Sequence, residues 1–120
     1  MVMGDTTVPN IATRSLARAL DAPQVPTVIT PIDLLPVAAS APVTGNITDD
    51  LTGDLTLGLF QFDRVTTSPG GNPKRATHVG VFSGIEAIDQ VSRFLETWLA
   101  DEQRVPTIVD PYAENGTRPL

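Results

Sequence analysis

Five prolines, Pro23, Pro26, Pro31, Pro36 and Pro42, punctuate the stretch from Ala22 to Thr48. Each one locks φ, removes an amide donor and biases the residue before it toward extended geometry. The stretch can therefore be neither a long helix nor a central strand. Its composition is not that of a disordered linker either. Asp33 is its only charge, and it carries Val25, Val28, Ile29, Ile32, Leu34, Leu35, Val37, Val43 and Ile47. Disorder is favoured by low hydrophobicity and high charge, and both conditions are reversed here. Such an arm must lie against a surface, since each branched aliphatic side chain contributes about 1.5–3 kcal/mol when buried. The expectation is an ordered, extended strap packed largely on another chain, with Val25, Val28, Ile29, Ile32, Leu34, Leu35 and Val37 as its contact residues.

Before the arm, residues 1–9 read as a mobile leader, and Asn10 is placed to cap a short helix over "IATRSLARAL". Ile11, Ala12, Leu16, Ala19 and Leu20 share one side of that helix, and Arg14 and Arg18 lie opposite. The two arginines, with Arg64 and Arg75, suit carboxylates of an acidic neighbouring subunit.

The second half of the chain changes period. "DLTLGLFQFDRVTT" alternates as a strand over residues 55–66, and "RATHVGVF" reads as its partner over 76–82. Between them stands "SPGGNPKR". A phosphate-cradling loop needs Gly-x-x-x-x-Gly-Lys-Ser/Thr leading from a strand into a helix. Here the glycines are adjacent, Pro69 and Pro73 remove donors, and a strand follows, so the stretch reads as a hairpin bend. A turn centred on Gly70–Gly71 would set Asp63 opposite His78. Lys74 and Arg75 are then solvated charges, and His78 is a structural strand histidine.

Next, "SGIE" has the form of a capping box, with Ser83 as cap and Glu86 reaching back. Ile88, Val91, Leu95, Trp98 and Leu99 recur at helical spacing, predicting a helix over 84–103 that buries this stripe on the sheet. Pro106 stops it, "VPTIVDPY" adds a short edge strand, and "AENGTRPL" is a tail. The predicted fold class is α+β: a small antiparallel sheet packed by one long amphipathic helix, with a long extended proline-rich N-terminal arm. Residues 1–48 form the leader, short helix and arm, 49–112 the core and 113–120 the tail.

Composition narrows function. Fourteen acidic and eight basic side chains give a net charge of −6, which opposes direct nucleic-acid binding. The absence of cysteine excludes thiol catalysis and thiolate metal sites, and a single histidine excludes a multi-histidine site within one chain. Asp49, Asp50 and Asp54 with Asn46 offer oxygen ligands, but the calcium-loop pattern is not met and a solvated turn is expected. No catalytic residue, cofactor, metal or small-molecule ligand is inferred, and neither a signal peptide nor a membrane span is read. The class that fits is a non-enzymatic assembly subunit, in a virion or the cytoplasm, partnered by its own copies or by other subunits. Capsid cement, decoration and head–tail junction proteins exemplify it. A small cytosolic binding or regulatory module is the alternative, and a small enzyme fits less well.

Overall fold

The structure is a computed structural model that describes residues 1–5, 7, 10–51 and 53–120. It is a mixed α+β chain with helices and small antiparallel ribbons in place of one sheet. The helices are α1 (Asn10–Ala19), α2 (Ile85–Ala100) and α3 (Pro111–Asn115). The ribbons pair β1 (Val43–Thr44) with β6 (Thr107–Ile108), β2 (Ile47–Asp49) with β3 (Gly53–Leu55), and β4 (Arg64–Val65) with β5 (Lys74–Arg75).

The proline-rich arm turns back onto this chain's own body, which takes up part of the contact set expected to strap a neighbour. Residues 23–25 lie between two other extended segments, with Gln24 bridging to both Val37 and Leu59. Leu59 N donates to Pro23 O (2.8 Å) and Val25 N to Leu59 O (2.9 Å) on one side. Gln24 N donates to Pro36 O (2.8 Å) and Ala38 N to Gln24 O (3.0 Å) on the other. Val25, Ile32, Leu35 and Val43 are buried by this chain alone, whereas Leu34 and Val37 stay exposed and Val28 and Ile29 are half-buried.

Prolines deprive the arm of a continuous ladder, and two buried glutamines supply part of what is missing. The Gln24 amide accepts from Ile32 N (2.7 Å) and donates to Ile32 O (3.2 Å) and Leu35 O (3.1 Å). Gln61 accepts from Ile29 N (3.0 Å) and Thr30 N (2.8 Å) and donates to Thr30 O (2.8 Å). Buried backbone groups must find partners, and here side chains provide them.

The main core gathers Val25, Val43, Phe60, Phe62, Val65 and Tyr112, among others; Ala17, Ala22, Ile32 and Leu35 form a second, smaller cluster. Phe60, Phe62 and Tyr112 meet edge to face, with centroids 4.9–6.1 Å apart. The expected leader lies partly outside the described residues, at Thr6, Val8 and Pro9. Its described start is packed: Val2 is buried and bridges in parallel to Phe62, and Met3 N donates to Phe62 O (2.7 Å).

Three further expectations are corrected. The strand over 55–66 contracts to β4, no strand forms over 76–82, where Gly80–Ser83 is a 3₁₀ turn, and the partner of β4 is β5, just ahead of that range. Arg64 pairs with Arg75 and Val65 with Lys74, so Ala76, not His78, lies across from Asp63, donating to its carbonyl (2.8 Å). The bend is longer than a two-residue turn, which shifts the register. The supposed tail begins inside α3, whose Asp110 cap accepts from Tyr112 N (2.9 Å) and whose end is closed by Gly116 at φ 60°.

Candidate interaction surface

Helix α2 is docked by its polar side. Glu86, Gln90 and Thr97 fall on one line of the helix, four and seven residues apart, and each ties to a segment outside it. Glu86, wholly buried, accepts from Thr66 N (2.8 Å) and from Thr117 Oγ1 (2.7 Å). Gln90 Nε2 donates to Val109 O (3.1 Å), and Thr97 Oγ1 accepts from Thr107 N (2.9 Å). Burial alone would raise the Glu86 pKa, but the bonds from Thr66 and Thr117 favour the carboxylate and hold it below the ordinary value. The predicted capping box is absent. Gly84 is the cap residue, without a side-chain bond, and Ser83 Oγ donates to Gly80 O (3.1 Å) instead.

The apolar stripe of α2 therefore faces outward, against the expectation that it is buried. Ile88, Val91, Leu95, Trp98 and Leu99 are 51%, 59%, 46%, 41% and 64% exposed. Ribbons two or three residues long make no surface broad enough to cover both the polar line and the stripe. Phe82, from the 3₁₀ turn, is likewise exposed. A hollow of about 570 Å³ opens beside the stripe, lined by Val2, Phe62 and Val81 together with Ala87, Ile88 and Val91 of α2. A smaller one of about 220 Å³ shares Gln90 and Val91 with it and extends to Phe94 and Leu95.

Helix α1 behaves in the same way. It docks through Ala17, while Ile11 and Leu16, and Leu20 just past its end, face solvent. Its arginine side turns toward the body: Arg14 is half-buried, and Arg18 Nε donates to Asp33 O (3.1 Å). The arginines predicted for a neighbour's carboxylates are partly engaged within this chain. Arg64 is buried, pairs with Asp63 (2.8 Å) and lies over the Tyr112 ring at 3.9 Å. Arg75 is exposed.

His78 Nδ1 meets Asp5 Oδ2 at 2.8 Å in the wall of the larger hollow, and its ring meets Phe82 edge on. The glycine–proline stretch is a bend, with Gly70 at φ 69° and Gly71 N donating to Ser68 O (2.9 Å). It borders a hollow of about 580 Å³ beside the first turn of α2. Glu86 lines this hollow, and its carboxylate, bonded to Thr66 and Thr117, disfavours an anion beside it. At the β2–β3 tip, Asp49 accepts from Leu51 N (2.9 Å) and Asp54 from Thr48 Oγ1 (3.0 Å). Thr52, in that same predicted turn, lies outside the described residues. Among the described residues no three acidic or histidine side chains come together as a metal site, and no helix is long and apolar enough to cross a membrane.

Gln24, Gln61 and Tyr112 were not singled out from the sequence, and Glu86 was read only as the capping-box partner of Ser83. A lone polar residue inside an apolar run was the signal for the two glutamines. Asp110-Pro111 followed by Gly116 was the signal for the helix that carries Tyr112. No protein-family model, curated protein or solved structure matches this chain.

Proposed function

We propose that this chain is a non-enzymatic assembly subunit that joins its neighbours through the outward apolar face of α2, with α1 adding a second such face. The observation that carries the reading is the exposed stripe Ile88, Val91, Leu95, Trp98 and Leu99. Contiguous apolar surface of that extent marks an interaction site on an otherwise acidic molecule. The binding role expected of the arm passes to the helices, because Val25, Ile32 and Leu35 are spent on the chain's own interior. Capsid cement and head–tail junction components belong to this class, and a virion setting remains part of the proposal.

Leu95→Glu tests it. A substitution on an exposed face away from internal contacts changes stability by about 0.5 kcal/mol or less. The expected result is an unchanged melting temperature of the isolated subunit together with loss of incorporation into its assembly. A drop of several degrees with association intact would make the stripe internal and sink the reading.

A further inference from the structure

Resting on the assembly role just proposed, we infer that the first occupant of the α2 face is α2 of a second copy of this chain, related by a two-fold axis. A two-fold interface must present knobs and holes on the same patch, since each copy contacts the other with identical residues. This patch has both. The ridge formed by Ile88, Val91, Leu95 and Leu99 runs directly beside the hollows of about 570 and 220 Å³. A second ridge laid antiparallel across the first would enter them, as ridges enter grooves in packed helices.

Area and charge point the same way. With Phe82, 74% exposed, the five stripe residues offer on the order of 700 Å² of apolar side chain, within the roughly 600–1,000 Å² each partner contributes to a standard interface. None of the six is charged, so covering them desolvates no charged side chain among them. A ligand confined to the larger hollow would leave Leu95, Trp98 and Leu99 in water, whereas a second copy covers both the hollow and the ridge.

Antiparallel helices crossing mid-stripe bring Val91 and Leu95 close to the axis, where each residue meets its own counterpart. The chain has no cysteine, so a single introduced one reports only on its own position. In Val91→Cys and Leu95→Cys, mild oxidation should give a covalent dimer from at least one, whereas Leu51→Cys, at the exposed β2–β3 tip, should remain monomeric. Sedimentation velocity of the full chain between about 1 and 100 μM should show a monomer–dimer equilibrium. Leu95→Glu should weaken that equilibrium at least about thirty-fold, the loss expected for a central interface residue.

A chain monomeric throughout that range, a dimer indifferent to Leu95→Glu, or failure of both cysteines to cross-link would each overturn the two-fold inference. The assembly role survives separately if the chain is monomeric and Leu95→Glu releases a different co-purifying subunit. It falls too if Leu95→Glu alters neither self-association nor incorporation.

Discussion

Gln24 and Gln61 hold the arm in place by substituting for strands that the prolines forbid. Replacing Gln24 by Leu keeps the volume close but strands the Ile32 amide and the Ile32 and Leu35 carbonyls in the interior. Each buried group left without a partner costs about 1–3 kcal/mol. Gln24→Leu should therefore lower stability by a few kcal/mol in denaturant titrations, and an effect below half a kcal/mol would mean that water reaches those groups. Tyr112 makes a second prediction at this scale. Burial pushes its phenol up to about 12, against bonds from the Arg64 and Asp63 amides that favour the ionised form. The folded state thus holds this proton more tightly than the unfolded chain, whose value is near 10.0. The resulting stability is fully present below about pH 10 and is lost as pH rises through about 12. Tyr112 is the chain's only tyrosine, so phenolate absorbance should appear together with unfolding. Ionisation near pH 10 in a chain that stays folded would contradict this placement.

Among the elements, α2 is fixed at its start by Glu86, which joins β4's end to the segment after α3. Glu86→Ala should cost about 2–3 kcal/mol, because the Thr66 amide loses its buried acceptor and Thr117 its anchor. Hydrogen exchange is the sensitive measurement: protection should fall at Thr66 and at residues 116–118 before it falls elsewhere. Uniform loss of protection would show instead that Glu86 supports the whole body. The helix itself was legible in the sequence to within a few residues, because its apolar recurrence and the proline beyond it are local signals. Which side it turns inward was not legible. The reading assumed that the apolar side seeks the core, whereas the docking line Glu86, Gln90 and Thr97 depends on partners 10 to 31 residues away. The capping box failed for a related reason, since Glu86 has better acceptor work across the fold than at its own helix end. The bend at Ser68–Gly71 was read correctly from its residues, but its length, and with it the register of Asp63 and His78, is set by packing. The α1 wheel separated arginine from apolar sides correctly and left open which side faces the body.

At the scale of the molecule, Val2 and the inward residues Val25, Ile32, Leu35 and Val43 of the proline arm belong to the interior. Val2 lies on Phe62, residues 23–25 are gripped between Pro36–Ala38 and Leu59, and Tyr112 closes over Phe60 and Phe62. The radius of gyration of 14.5 Å and extents of 44 × 31 × 24 Å describe a slightly elongated body, against roughly 13.6 Å expected for a compact chain of this length. Tyr112 also governs timing. Phe60 and Phe62 leave the ribosome some fifty residues ahead of the ring that seals them, a wait of about 3–10 s at ordinary elongation rates. Throughout that interval the centre of the future core has no lid, and the nascent chain depends on chaperones or on speed to keep it from straying. A chain stalled before residue 111 should remain open to protease around residues 60–66, and one released past residue 118 should close.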